Sequence, residues 1–154
     1  MRTEQVNEMI ADITRQLLQK RSSDGIWRGC LSSSAISTSV AIFALYQIDS
    51  DTYEPYIRKG AGWLKKTMRA DGSWGDSVES PSNMTATLLS YASLYAVDIP
   101  PHETETYLKE RLGGNTDEDI VRGVLSYYGK DLTFSVPILV MCALAGVITH
   151  WDRI

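Results

Sequence analysis

The chain has little of what most recognisable sites are made from. It contains two cysteines, Cys30 and Cys142, and two histidines, His102 and His150. The cysteines form no Cys-x-x-Cys pair, so the sequence carries neither a zinc ribbon nor a dithiol redox motif, and a reducing compartment suits it. Basic residues are also scarce, 15 Lys and Arg against 19 Asp and Glu, for a net charge of -4. No basic face is left to neutralise phosphates, which argues against a nucleic-acid partner. No apolar run is long enough to span a membrane: Val136 to Ile148 is the longest, and a span takes about 20 residues. Pro137, near its start, suits the first turn of a buried core helix. Met1-Arg2-Thr3-Glu4 opens a polar helix instead of a signal peptide. These absences describe a cytoplasmic protein without a transmembrane segment. Any contact with a bilayer would be peripheral, and no strongly basic amphipathic face promotes it.

What the chain does have is an internal repeat. Asp24-Gly25-Ile26-Trp27 recurs as Asp71-Gly72-Ser73-Trp74, an offset of 47 residues (24 to 71). Allowing two extra residues in the second loop, Thr38, Leu45, Tyr46 and Asp49 then match Thr87, Leu94, Tyr95 and Asp98. Repetition of this kind marks a duplicated supersecondary unit. The unit reads as a helical hairpin. Residues 3 to 20 place Val6, Met9, Ile10, Ile13, Leu17 and Leu18 on one face, which predicts an outer, half-solvated helix. Residues 33 to 47 carry few charges and many Ser, Thr and Ala, with Ile36, Val40 and Phe43 spaced for packing, and predict an inner helix enclosed on most sides. The alternation returns with an outer helix over 52 to 69 and an inner one over 83 to 96.

Beyond the repeats, Pro100 and Pro101 open a short polar helix to about Arg111, which Gly113-Gly114 stops. Asp117-Glu118-Asp119 begin another that runs to Tyr128, and a last helix, the most buried, is expected from about Thr133 to Thr149. No segment alternates with period two, so the expectation is an all-α fold of stacked helical hairpins in a single domain over residues 1 to 154. Gly25 and Gly72 are expected to close the last turn of each outer helix in the left-handed conformation. Trp27 and Trp74 then fold back as apolar plugs, a structural role for the motif residues Asp24, Gly25, Trp27, Asp71, Gly72 and Trp74.

The run from Lys59 through Trp63-Leu64 to Asp71-Gly72-Ser73-Trp74-Gly75 resembles the repeat of terpenoid cyclases and prenyltransferases, best known from squalene-hopene cyclases. That repeat has a basic residue and Gly, an aromatic-Leu pair, a Gln, then Gly-x-Trp. Trp63 fills the aromatic place, while Met68 and Arg21 stand where the family has the Gln that ties adjacent helices together. The stretch from Tyr127 to Pro137 is similar to the part of the cyclases that follows their first repeats. The resemblance implies hairpins arranged as a partial α/α toroid, since the family's rings hold about six and this chain has about three. It also implies an amino-terminal portion of a cyclase-like protein.

Class II cyclases protonate an alkene with an acid from an Asp-x-Asp-Asp motif, and no such motif occurs here. Asp117-Glu118-Asp119-Ile120 lacks the final Asp and sits where a helix begins, which favours capping. Asp49-Ser50-Asp51 reads as a turn. For the zinc-dependent prenyltransferase branch the ligands are too few: Cys142 and His150, if on one helix, lie about 12 Å apart along its axis, and a Cys30–His102 pair is weakly supported. No catalytic residue, metal site or cofactor is therefore assigned. The resemblance implies an isoprenoid lipid as ligand. Tyr127, Tyr128 and Phe134, near the later turns, either wall an apolar pocket of lipid size or fill an ordinary core. Two functions stay open: a portion of a cyclase or prenyltransferase that is inactive alone, and a non-catalytic scaffold for a hydrophobic ligand or protein. Self-association, or pairing with a missing carboxy-terminal half, is expected in either case.

Overall fold

The computed structural model describes residues 3–29 and 31–150, so Cys30 and Trp151-Asp152-Arg153-Ile154 lie outside the described residues. All regular structure among them is helical, with two isolated bridges, Arg21 with Trp27 and Ser34 with Ser77. The chain divides into two compact units, Met1–Ser32 and Ser33–Ile154.

The first unit holds one helix, α1 (Thr3–Gln19), and the loop that turns back from it. Its apolar residues share a face as expected, but a unit of one helix has no second layer to cover them. No residue of α1 is buried.

The second unit carries five helices: α2 (Ala35–Thr67), α3 (Met84–Ala96), α4 (His102–Leu112), α5 (Asp117–Tyr128) and α6 (Leu132–Leu144). α2 contains the expected inner and outer helices, run together across a kink at Asp49, whose backbone is extended (φ -167°, ψ 94°). The Asp49 carboxylate accepts from the Thr52 N–H at 3.0 Å and the Thr52 hydroxyl at 2.8 Å, so it caps the second half as an N-cap residue does. The matching Asp98 does the opposite job. It ends α3 in the left-handed region (φ 59°), and the next N–H, on Ile99, reaches back to the Leu94 carbonyl. Short polar side chains tolerate that conformation better than most.

α3 is the centre of this unit and packs against α2, α4 and α6. It has no charged residue and is buried almost all round, from Met84 to Leu94, as a helix apolar on every face must be. The expectation that the last helix is the most buried is therefore corrected. α6 packs on α3 and α5 and leaves Leu132, Phe134, Val136 and Leu144 exposed. It also ends at Leu144, short of Thr149, because Gly146 turns left-handed (φ 83°) and the Val147 N–H caps the Cys142 carbonyl. The first half of α2 is likewise less enclosed than expected. Ala35, Ser39, Ile42 and Phe43 form one buried stripe, while Val40 is exposed.

Small residues bring α2 and α3 together. Ser39 Oγ lies 2.9 Å from Ser90 Oγ and donates to the Ala35 carbonyl at 2.6 Å, with both serines wholly buried. The hydroxyls pair, and among the described residues no buried side-chain nitrogen or oxygen lacks a partner. Removing Ser39 strands the Ser90 hydroxyl in a dry contact, at about 1–3 kcal/mol, whereas removing Ser90 leaves Ser39 its bond to the Ala35 carbonyl and costs less. Ser39→Ala and Ser90→Ala should each destabilise the chain, and the double variant should lose less than the sum of the two in urea unfolding.

Candidate functional site

The two Asp-Gly-x-Trp loops share one hydrogen-bond scaffold. Ser22 N–H donates to the Ile26 carbonyl and Gly25 N–H to the Ser22 carbonyl, both at 2.9 Å. In the second loop Arg69 N–H donates to the Ser73 carbonyl and Gly72 N–H to the Arg69 carbonyl, again at 2.9 Å. Each tryptophan reaches back to its own outer helix: Trp27 Nε1 donates to the Leu17 carbonyl at 2.7 Å and Trp74 Nε1 to the Leu64 carbonyl at 2.9 Å. Gly25 and Gly72 are left-handed, at φ 85° and 83°. They sit in the turn beyond each helix, however, and not in its last turn, since α1 stops at Gln19 and α2 at Thr67. The acids close these turns: Asp24 accepts from Ser22 and Arg28, and Asp71 from the Ser73 hydroxyl at 2.6 Å.

The copies differ in what covers them. Trp74 is 1% exposed and Trp27 49%. The Trp74 N–H donates to Thr87 Oγ1 on α3, and the Asn83 N–H donates to the Trp74 carbonyl at 2.8 Å. Trp63 is half-buried beside this core and shares a small crevice with Trp74. At the place of the family's Gln, Arg21 stacks its guanidinium 5.4 Å from the Trp27 ring centre and donates to the Gly25 carbonyl at 2.6 Å. Met68 instead offers its sulfur to the Thr104 hydroxyl at 3.7 Å. α4 closes on the second loop: the buried Thr104 donates to the Gly72 carbonyl at 2.7 Å, and a Cβ on Gly72 would overlap the Glu103–Thr104 backbone. A Cβ on Gly25 would meet only the flexible Arg21 side chain, at 3.0 Å.

Of the Asp117-Glu118-Asp119 run, both aspartates are occupied at helix ends. Thr116 and Asp119 form a reciprocal capping box at the start of α5. Asp117 points elsewhere and takes the chain beyond α6: it accepts from the Thr149 N–H at 2.9 Å, the His150 N–H at 2.8 Å and the His150 ring at 2.8 Å. Burial alone would raise its pKa, but these bonds outweigh that and hold it at about 2. Asp24, Asp49, Asp71 and Asp119 are also held below the usual aspartate range. The foremost cause is Arg28 for Asp24, the Thr52 N–H for Asp49, the Ser73 hydroxyl for Asp71 and the Thr116 hydroxyl for Asp119.

Cys142 is buried and its thiol is pushed up to about 12 by desolvation, so it stays protonated. His102 is exposed beside Glu105, and His150 lies past the end of α6 instead of on it. Among the described residues no three of His, Cys, Asp and Glu gather as a metal site would require. Tyr127, Tyr128 and Phe134 do come together. Tyr128 stands edge-on to Tyr127 at 5.0 Å, stacks on Phe134 at 6.2 Å and bonds the Thr85 hydroxyl. Tyr127 and Phe134 are exposed, and the cluster lies on the surface.

A cavity of about 260 Å³ lies elsewhere, between α3, α4 and α5. Leu88, Leu108, Leu112 and Ile120 make its floor, with Tyr91, Tyr95 and Glu105 above them. Tyr91 donates to Glu105 Oε1 at 3.1 Å. Burial, then the nearby Glu105 charge, raises the Tyr91 pKa, so the phenol keeps its proton. Sequence reading missed this group, although the signal is there. Leu88, Tyr91 and Tyr95 repeat at helical spacing, as do Glu105, Leu108, Lys109 and Leu112, and Glu105 is an acid set beside an apolar face.

An all-helical chain with a twice-built Asp-Gly-x-Trp loop defines a class, that of helical-repeat proteins with cyclase-type tryptophan loops. The family model of the squalene-hopene cyclase C-terminal domain matches residues 1–93, and the chain belongs to that family. The matched stretch takes in both loops and ends inside α3, with α4 to α6 beyond it. It is the model of a carboxy-terminal domain, where the sequence alone suggests an amino-terminal portion. No curated protein and no solved structure matches the chain. No helix among the described residues is long and apolar enough to cross a membrane.

Two outcomes are expected. Gly72→Ala should cost more than the ~1–3 kcal/mol of a forced left-handed residue, because α4 must also move, whereas Gly25→Ala should stay within that range. Urea unfolding of both variants measures the difference. For Asp117, a pKa depressed from 3.8 to about 2 gives stability that is present above pH 4 and lost as pH falls towards 2. Asp117→Asn should flatten that part of the stability curve between pH 4 and 2.

Proposed function

We propose that this chain forms part of the helical wall of a squalene-hopene-cyclase-type protein acting on an isoprenoid lipid, and that it does not start cyclisation by itself. The observation that carries the reading is the shared hydrogen-bond scaffold of the two Asp-Gly-x-Trp loops, both inside the stretch that matches the family. The chemistry of the acids supports the second half. Protonating an alkene takes a carboxylic acid that holds its proton in a dry apolar site, as burial arranges by raising a pKa. Asp24, Asp49, Asp71, Asp117 and Asp119 are shifted the other way, each ionised and spent on closing a turn or capping a helix.

In this reading the hairpins belong to one toroid-type domain, completed by self-association or by further helices, and the aromatic cluster of Tyr127, Tyr128 and Phe134 walls the lipid space once that side is covered. A migrating carbocation would be stabilised by such ring faces. The test is direct. Incubating the chain with squalene and with geranylgeranyl diphosphate, then analysing the extract by gas chromatography and mass spectrometry, should give no cyclised product. A cyclic product formed by this chain alone would overturn the proposal.

A further inference from the structure

The cavity between α3, α4 and α5 has a chemistry of its own, set mainly by α4 and α5, which lie outside the matched stretch. Its floor is apolar and buried: Leu88, Leu108, Leu112 and Ile120 are all under one tenth exposed. Water lying on that floor would find hydrogen-bond partners only on the opposite side, so the floor suits the apolar part of an amphipathic ligand. At about 260 Å³ it is smaller than the ~300–1,000 Å³ of drug-sized pockets. Roughly nine water-sized volumes of ~30 Å³ fill it, which sets the occupant at about ten non-hydrogen atoms.

The other side of the cavity is polar and nearly neutral in sum. Glu105 and Lys109, one helical turn apart on α4, both line it, as does Asn115. Glu105 already accepts from Tyr91 through Oε1, and its other oxygen lies 3.4 Å from His102 Nδ1. A carboxylate has about four acceptor sites, so capacity remains for a further donor. A ligand carboxylate drawn to Lys109 would be repelled by Glu105, and a ligand ammonium drawn to Glu105 would be repelled by Lys109, so a single charge gains little net attraction for the hydration it loses. A hydroxyl escapes both, because it can donate to Glu105 while accepting from Lys109 or Asn115.

We propose that this cavity binds a short-chain alcohol of about eight to ten carbons, its hydroxyl donating to Glu105 and its alkyl chain lying on the Leu88–Leu108–Leu112–Ile120 floor. The probe is 1-octanol, titrated into the ¹⁵N-labelled full chain, with octanoate and octylammonium as matched controls. The expected result is saturable amide shifts centred on Gly114 and Asn115, with both charged controls at least about fivefold weaker. Glu105→Gln should weaken octanol about fivefold, the loss expected when a charged acceptor is replaced by a neutral one. Val147→Phe, placed at the cavity edge, should abolish binding. Should that variant fail to fold, Glu105→Gln still decides the matter, since Gln preserves an acceptor for Tyr91. Shifts that never saturate, octanoate or octylammonium binding as tightly as octanol, or octanol binding unchanged in Glu105→Gln would each overturn the proposal. The outcome leaves the cyclisation assay untouched, so the two readings can fail separately.

Discussion

The second unit depends on the buried indole of Trp74. Its ring N–H ties the loop to the outer half of α2 through the Leu64 carbonyl, and its backbone N–H and carbonyl tie the same loop to α3 through Thr87 and Asn83. One residue therefore fixes the end of α2 against α3 and the N-cap from which α3 starts. The energetic reason is double: a large aromatic surface leaves water, and every polar atom it carries inward is answered. Gly72 belongs to the same constraint, because only a residue without a Cβ lets α4 come down on the loop.

From that anchor the rest of the unit follows by contact. α3 is held on one side by the serine pair with α2 and on the others by α4 and α6, so it becomes the centre without a single charge. α4 then stands over α3 with Glu105 facing Tyr91, and the space they fail to fill is the cavity. The acids divide by neighbourhood. Those at turns and helix starts are hydrogen-bonded into their ionised form, whereas Glu105 shares its charge with a phenol at the edge of an apolar hollow.

Much of this was legible in the residues. Apolar periodicity and the proline and glycine stops placed α1, α3, α4 and α5 within a residue or two, because helix boundaries are set by local capping chemistry. The duplicated loop was legible for the same reason: its bonds close within a few residues of one another, and both copies make them. The end of α6 was not. An apolar run from Thr133 to Thr149 hides the point where Gly146 turns left-handed, and the tail that follows is held by Asp117, distant in sequence. Val40 reads as a packing residue by spacing, yet nothing in its own helix decides which face meets α3.

The sequence by itself determined the all-helical class, the hairpin repeat and the family, since these rest on periodicity, on short-range turns and on a motif written twice. Only the tertiary structure decided that Trp74 is enclosed and Trp27 half open, that Tyr127, Tyr128 and Phe134 gather at the surface, and that Glu105 overlooks a hollow floored by Leu88, Leu108, Leu112 and Ile120. Those outcomes turn on which helix lies against which, and a residue's exposure belongs to its neighbours in space, not to its neighbours in the chain.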